Sequence, residues 1–104
     1  MRRGEVRWYR FRAPDKRRPV LILTRDSVIP YLGEVTVAPI TTTIRNIPSE
    51  LALFEEDGMP NSCAVNCDHL QTVAKSQLGT LVTVLSDEQM TRVREALLFA
   101  LALC

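Results

Sequence analysis

Short apolar runs, separated by polar stretches bearing proline or glycine, recur along this chain. Residues 4–11 alternate, with Val6 and Trp8 on one side and Arg7, Tyr9 and Phe11 on the other, the period-two pattern of a strand. Residues 19–24 contain the unbroken run Val20, Leu21, Ile22 and Leu23, which predicts a strand covered on both faces. Residues 35–42 read as a third strand. Pro39 inside it removes a ladder donor and predicts a bulge or a sheet edge at that point. Residues 50–54 form a short strand, followed by an acidic turn built around Asp57 and Gly58. Residues 63–73 read as a single strand, residues 75–78 as a brief turn of helix and residues 79–84 as a last strand.

Ser86 then opens a helix. Its hydroxyl can accept from the backbone N–H of Gln89, whose side chain can reach back, and Asp87 and Glu88 suit the positive end of the helix dipole. Met90, Val93, Leu97 and Leu101 recur at helical spacing. From Ala96 onward the helix is apolar nearly all round, and a helix without a polar face needs cover on every side. That predicts a homodimer with Leu97 and Leu101 at its interface. Several short strands followed by one helix predict a mostly β fold with a C-terminal helix, a small, partly open barrel. The pattern holds no linker, so residues 1–104 are expected to be a single domain.

Composition narrows the class. A chain of 104 residues with 46% hydrophobic and 24% charged residues has room for a modest core and is not of the disordered type. No apolar run approaches the roughly 20 residues of a membrane helix, and no signal-type apolar core follows the basic start. The expected address is the cytoplasm. The net charge of +1 conceals a polarity. Arg2, Arg3, Arg7, Arg10, Arg12, Lys16, Arg17 and Arg18 are offset within that stretch only by Glu5 and Asp15, and the remainder is net acidic. A basic end on a nearly neutral protein suits a local polyanion site, although a solvated arginine face has the same composition. The odd count of three cysteines, Cys63, Cys67 and Cys104, does not make a disulfide framework. Cys63, Cys67 and His69 fall short of the four ligands of a structural zinc site, so free thiols and no metal are expected.

The candidate chemistry lies at the ends of two apolar runs. Pro19 biases Arg18 toward an extended conformation at the mouth of its strand. The third strand ends in Thr41, Thr42 and Thr43 as it leaves the interior. A guanidinium and a hydroxyl on adjacent strand ends can together hold a phosphate. His69, the only histidine, is the natural candidate for proton transfer near neutral pH.

The strings RRGEV, RRPVLILT, VTVAPITTT and NCDHLQTV, in this order and spacing, resemble the MazF/PemK toxins of bacterial type II toxin–antitoxin modules. QLGTL and the apolar final helix fit as well. The resemblance implies an SH3-like barrel, a homodimer, and a metal-independent endoribonuclease that cuts single-stranded RNA at specific sequences. In that chemistry the RNA 2′-OH attacks the adjacent phosphate and leaves a 2′,3′-cyclic phosphate and a 5′-OH. It also implies silencing by a cognate antitoxin, expected to be acidic, that occupies the RNA groove.

Carried over by position, the family's catalytic arginine falls on Arg18 and its catalytic threonine on Thr41. Asp68 and His69 are possible catalytic or supporting groups, Asp68 either as a base or as an ion-pair partner for Arg18. Lys16, Arg17, Thr42, Thr43, Asn66, Gln71 and Thr72 are expected to contact RNA, with the N-terminal arginines following the phosphate backbone. Trp8 and Tyr9 are candidates for base stacking, with core packing the plainer reading of Trp8. The chain departs from the family where an arginine often precedes the threonine, since Gln71 stands there, and His69 replaces a glutamine. These departures bear on the recognised sequence more than on the reaction. The turn after the first strand is also shorter than in many relatives, which predicts a more open groove. Two alternatives stand beside this reading: a gyrase-poisoning toxin of the CcdB kind without RNase activity, and a non-catalytic SH3-like interaction module.

Overall fold

The computed structural model describes residues 1–11 and 17–103. Seven antiparallel strands precede one helix: β1 (Glu5–Arg10), β2 (Arg17–Ile22), β3 (Glu34–Thr41), β4 (Glu50–Leu53), β5 (Cys63–Asn66), β6 (Gln71–Ala74), β7 (Leu78–Val84) and α1 (Asp87–Leu101). The strands follow the order β4-β5-β3-β2-β1-β7, with β6 also paired to β3. Among the described residues no pairing joins β4 to β7, so the barrel stays open, as the strand pattern predicted. No helix among them is long and apolar enough to cross a membrane.

Both faces of β2 and β3 are covered, which is what the unbroken apolar run in β2 required. Leu21, Ala38 and Ile40 join Val6, Leu51, Leu53 and Val65 in one core, against which α1 sets Val93 and Ala96. Val20, Ile22, Val35 and Val37 face the other way into a second core with Ile29 and Val73, flanked by Tyr9 and Phe11. The two aromatic rings meet edge to face at 4.9 Å. Side-chain alternation along each strand therefore splits its residues between two interiors.

β3 is the axis of the sheet. One side pairs with β2, Val20 opposite Pro39 and Ile22 opposite Val37. The other side pairs first with β6, from Glu34 to Val37, and then with β5 at Ile40 and Thr41. Between those two ladders only Ala38 and Pro39 of β3 stand opposite residues 66–70. The segment read from sequence as one strand is thus broken in two by an outward bulge. The physical reason is the one Pro39 announced: with no N–H to offer, it cannot extend the ladder, and the partner strand leaves the sheet there. The bulge lies on the partner strand, and β3 itself is central.

The helix starts as its cap residues predict. Ser86 Oγ accepts from the Gln89 N–H at 3.1 Å, and Gln89 Oε1 accepts from the Ser86 N–H at 2.8 Å. Gln89 Nε2 also donates to Asp57 Oδ1 at 2.8 Å, while Thr83 Oγ1 donates to the Asp57 carbonyl. The acidic turn after β4 is therefore tied to the helix start and to β7. Gly58 in that turn adopts φ +92°, a region open to glycine at little cost.

Candidate active site

Continuing the β2–β3 register outward by two residues sets Arg18 opposite Thr41, on the face shared with Val20 and Val37. Both side chains line one cavity of about 400 Å³ at the open end of these strands. Arg17, Thr42 and Thr43 line it too, and no acidic residue among the described ones does. Its charged groups among the described residues are two guanidiniums, and three hydroxyls add donors. That combination attracts an anion, and a planar guanidinium offers two parallel N–H groups to phosphate oxygens. The Thr43 N–H donates to Thr41 Oγ1 at 3.2 Å, which orients that hydroxyl and leaves its own proton free to donate.

The opposite wall was not foreseen from sequence. Met59, Pro60, Asn61 and Cys63, from the turn that leads into β5, close the cavity over Ile40 and Pro19. Trp8 forms part of its rim and is half-buried, so it is neither a pure core residue nor a free one. The Arg17 guanidinium lies 4.4 Å from the centre of the indole ring. The Cys63 thiol is pushed up to about 11 by burial and by the charge of Asp57, so at neutral pH it stays protonated and is a poor nucleophile. Burial, with Asp68 and Glu50 nearby, raises Cys67 to about 11 as well. Both are free buried thiols.

The second group of predicted residues sits elsewhere. Asp68 and His69 occupy the bulge between β5 and β6 and do not line the cavity. The Asp68 carboxylate accepts from the Ser49 hydroxyl at 2.5 Å, and no ion pair links it to Arg18. Of the two roles expected for Asp68, the ion pair with Arg18 is not formed here: the bulge carries Asp68 toward the β3–β4 loop. Asn66 is buried, at 4% exposure, and its amide is used internally. Its Oδ1 accepts from the Asp68 N–H at 2.9 Å, and its Nδ2 meets His69 Nδ1 at 3.3 Å. Asn66 therefore supports the bulge from within. With Asn66 Nδ2 as the donor, the proton of neutral His69 sits on Nε2. Gln71 and Thr72 are exposed on β6, and Thr72 lines a different cavity with Arg3, Thr24 and Thr36.

The β3–β4 loop that follows Thr41 is held at its far end by carboxylates. Glu50 accepts from the Arg45 N–H at 3.0 Å, Asp68 holds Ser49, and the Ser49 carbonyl accepts from the Cys67 N–H at 3.0 Å. Of the N-terminal arginines, Arg3 donates to the Leu23 carbonyl, while Arg7 pairs with Glu5 at 2.8 Å and donates to the Gly79 carbonyl. These two act within the fold, and Arg2, Arg10, Arg17 and Arg18 remain exposed. Burial alone would raise the Glu5 carboxyl, but hydrogen bonds from Arg7 and from the Arg2 backbone, with the Arg7 charge, bring it below its ordinary value. Lys16, and the turn whose shortness predicted a more open groove, lie outside the described residues.

An open, antiparallel barrel carries an arginine and a threonine on adjacent strand ends, lining a cavity with no carboxylate among the described residues, a combination suited to an anion such as phosphate. Residues 2–101 match the family model of the PemK-like, MazF-like toxins of type II toxin–antitoxin systems, and the chain belongs to this family. It is similar to endoribonuclease MazF3 of Mycobacterium tuberculosis, with 43% identity over 83 residues, covering 80% of this chain and 81% of that protein. Among solved structures it resembles the M. tuberculosis toxin MazF-mt6, with a TM-score of 0.86 and 38% identity over 94% of this chain and 96% of that one. A mycobacterial endoribonuclease solved in complex with its cognate antitoxin aligns with a TM-score of 0.89 and 27% identity, covering 100% of this chain and 97% of that chain.

Proposed function

We propose that this chain, an endoribonuclease of the MazF kind, cuts single-stranded RNA at specific sequences by in-line attack of a 2′-OH on the adjacent phosphate. The O2′–P bond forms as the P–O5′ bond breaks, giving a 2′,3′-cyclic phosphate and a 5′-OH. The 2′-OH loses its proton to a base, and the leaving O5′ gains one. Arg18 binds the non-bridging oxygens and stabilises the charge that grows on them. Thr41 donates to the same phosphate and fixes its orientation. The observation that carries the reading is the meeting of Arg18 and Thr41 in one cavity that no carboxylate among the described residues lines. This division of labour asks nothing of a metal ion, since the guanidinium supplies the positive charge.

The same reading extends to partners and setting. The chain acts in the cytoplasm as a single domain and is inhibited by a cognate antitoxin of acidic character, in line with the antitoxin complex of its mycobacterial neighbour. It works as a homodimer. Phe99, Leu101 and Leu103 are 59%, 50% and 69% exposed and Leu97 is half-buried, an apolar helix end that a second subunit would cover.

The test is direct. Purified protein is incubated with a long single-stranded RNA in EDTA, and the ends are sequenced. Discrete cuts with cyclic-phosphate ends are expected, reduced at least about 100-fold by Arg18→Ala and by Thr41→Ala. Intact RNA at high protein concentration, or wild-type cutting by Arg18→Ala, overturns the proposal. Intact RNA together with inhibition of DNA gyrase supports the gyrase-poison alternative.

A further inference from the structure

The cavity has a second half that phosphate chemistry leaves unused. Beyond Arg18 and Thr41 its floor is apolar, with Ile40, Met59 and Cys63 exposed by only 2%, 4% and 4%. One rim is the indole of Trp8, stacked against Arg17. At another stands Asn61, exposed, with a side-chain amide that makes no hydrogen bond among the described residues. An apolar floor, an aromatic and guanidinium wall and one free amide are what an unstacked base requires: flat surfaces for its ring, and a donor with an acceptor for its edge.

The segment carrying Asn61 is anchored on both sides. Before it, the Gly58 N–H donates to the Glu55 carbonyl and the Asp57 carboxylate binds both Gln89 and the Phe54 N–H. After it, β5 begins at Cys63, and between them Met59 is buried and Pro60 restricts the backbone. A backbone held on such a support is placed before RNA arrives, so only the Asn61 side chain itself is left to order.

We propose that this half of the cavity seats the nucleobase beside the scissile phosphate and that Asn61 reads its hydrogen-bonding edge, making it a specificity-determining residue. The inference rests on the RNA-cleaving reading above and goes beyond it by naming the residue that selects the base. Asn61 stands on a loop that had no place among the sequence candidates, since neither periodicity nor motif marks it.

The experiment uses the full chain and a pool of single-stranded RNA with randomised sequence, cut by wild type, Asn61→Ala and Asn61→Asp, with all new ends sequenced. Asn61→Ala is expected to lower the preference at one position next to the cut about tenfold and to leave the other positions as in wild type. Asn61→Asp, which can only accept, is expected to move that position toward bases that present donors, guanine with its N1–H and amino group and adenine and cytosine with their amino groups, and away from uracil. If both variants keep the wild-type preferences at every position, or if Asn61→Ala relaxes all positions equally, the assignment of Asn61 is overturned while RNA cleavage stands. If wild type leaves the pool uncut, the nuclease reading falls, and this inference with it.

Discussion

Asp68, expected from the family resemblance to be a catalytic or supporting group, has a structural partner in Ser49. Its carboxylate accepts from Ser49 at 2.5 Å, and Ser49 is 2% exposed at the end of the loop that begins after Thr41. A hydrogen bond to a charged group contributes about 1.5–3 kcal/mol when shielded. Asp68 itself is exposed and can be rehydrated when the bond is lost, so about 1–2 kcal/mol is the reasonable figure here. Ser49→Ala and Asp68→Ala should each lower stability by that amount, and the double variant should be little worse than either single one. Asp68→Asn keeps an acceptor for the Ser49 hydroxyl and should cost less than about 1 kcal/mol. In cleavage, Asp68→Asn should retain activity within about tenfold, whereas loss of a working general acid or base costs about 100- to 10,000-fold. Urea denaturation and kcat/KM on a short fluorescent RNA, measured for the four variants, decide the matter. A fall beyond about 1000-fold for Asp68→Asn with unchanged stability, alongside an unaffected Ser49→Ala, would refute the clasp and place Asp68 in the chemistry.

Three further outcomes are expected. Gly58→Ala should lower stability by about 2–4 kcal/mol, because a left-handed backbone is strained by any side chain and the new Cβ would sit 2.5 Å from Thr83 Oγ1. Adding Thr83→Ala should recover only part of that in urea titrations, and full recovery would show that the backbone carries no strain. Cys63 and Cys67 are raised from an ordinary 9.0 to about 11, so their contribution is fully present below pH 9. As pH rises through the window up to about 11, the unfolded chain releases protons that the folded one keeps, and stability falls by up to about 1.4 kcal/mol per unit for each thiol. The Cys63→Ala, Cys67→Ala double variant should show a flatter alkaline profile, and an equal slope would contradict the raised values. Leu97→Asp should reduce the mass in solution from dimer to monomer by light scattering, and an unchanged dimer would put the interface elsewhere.

Much of the fold was legible in local sequence because its causes are local. Alternation and apolar runs mark most of the strands, and Ser86 with Gln89 marks the helix start, since each depends only on residues a few positions away. Pro39 announced an interruption of the ladder for the same reason. Arg18 beside Pro19 and the threonines at the end of β3 were marked by residue type at strand ends. What only the tertiary structure decided is which distant segments share a surface. The register of β2 on β3 set Arg18 against Thr41, while the bulge opposite Pro39 turned Asp68 to Ser49 and Asn66 inward. Met59, Asn61 and Cys63 became a wall of the same cavity because β5 pairs with the end of β3 that Thr41 occupies. No short-range pattern encodes that pairing: it follows from burying two interiors at once, and it brings an arginine, a threonine and the loop bearing Asn61 around one cavity.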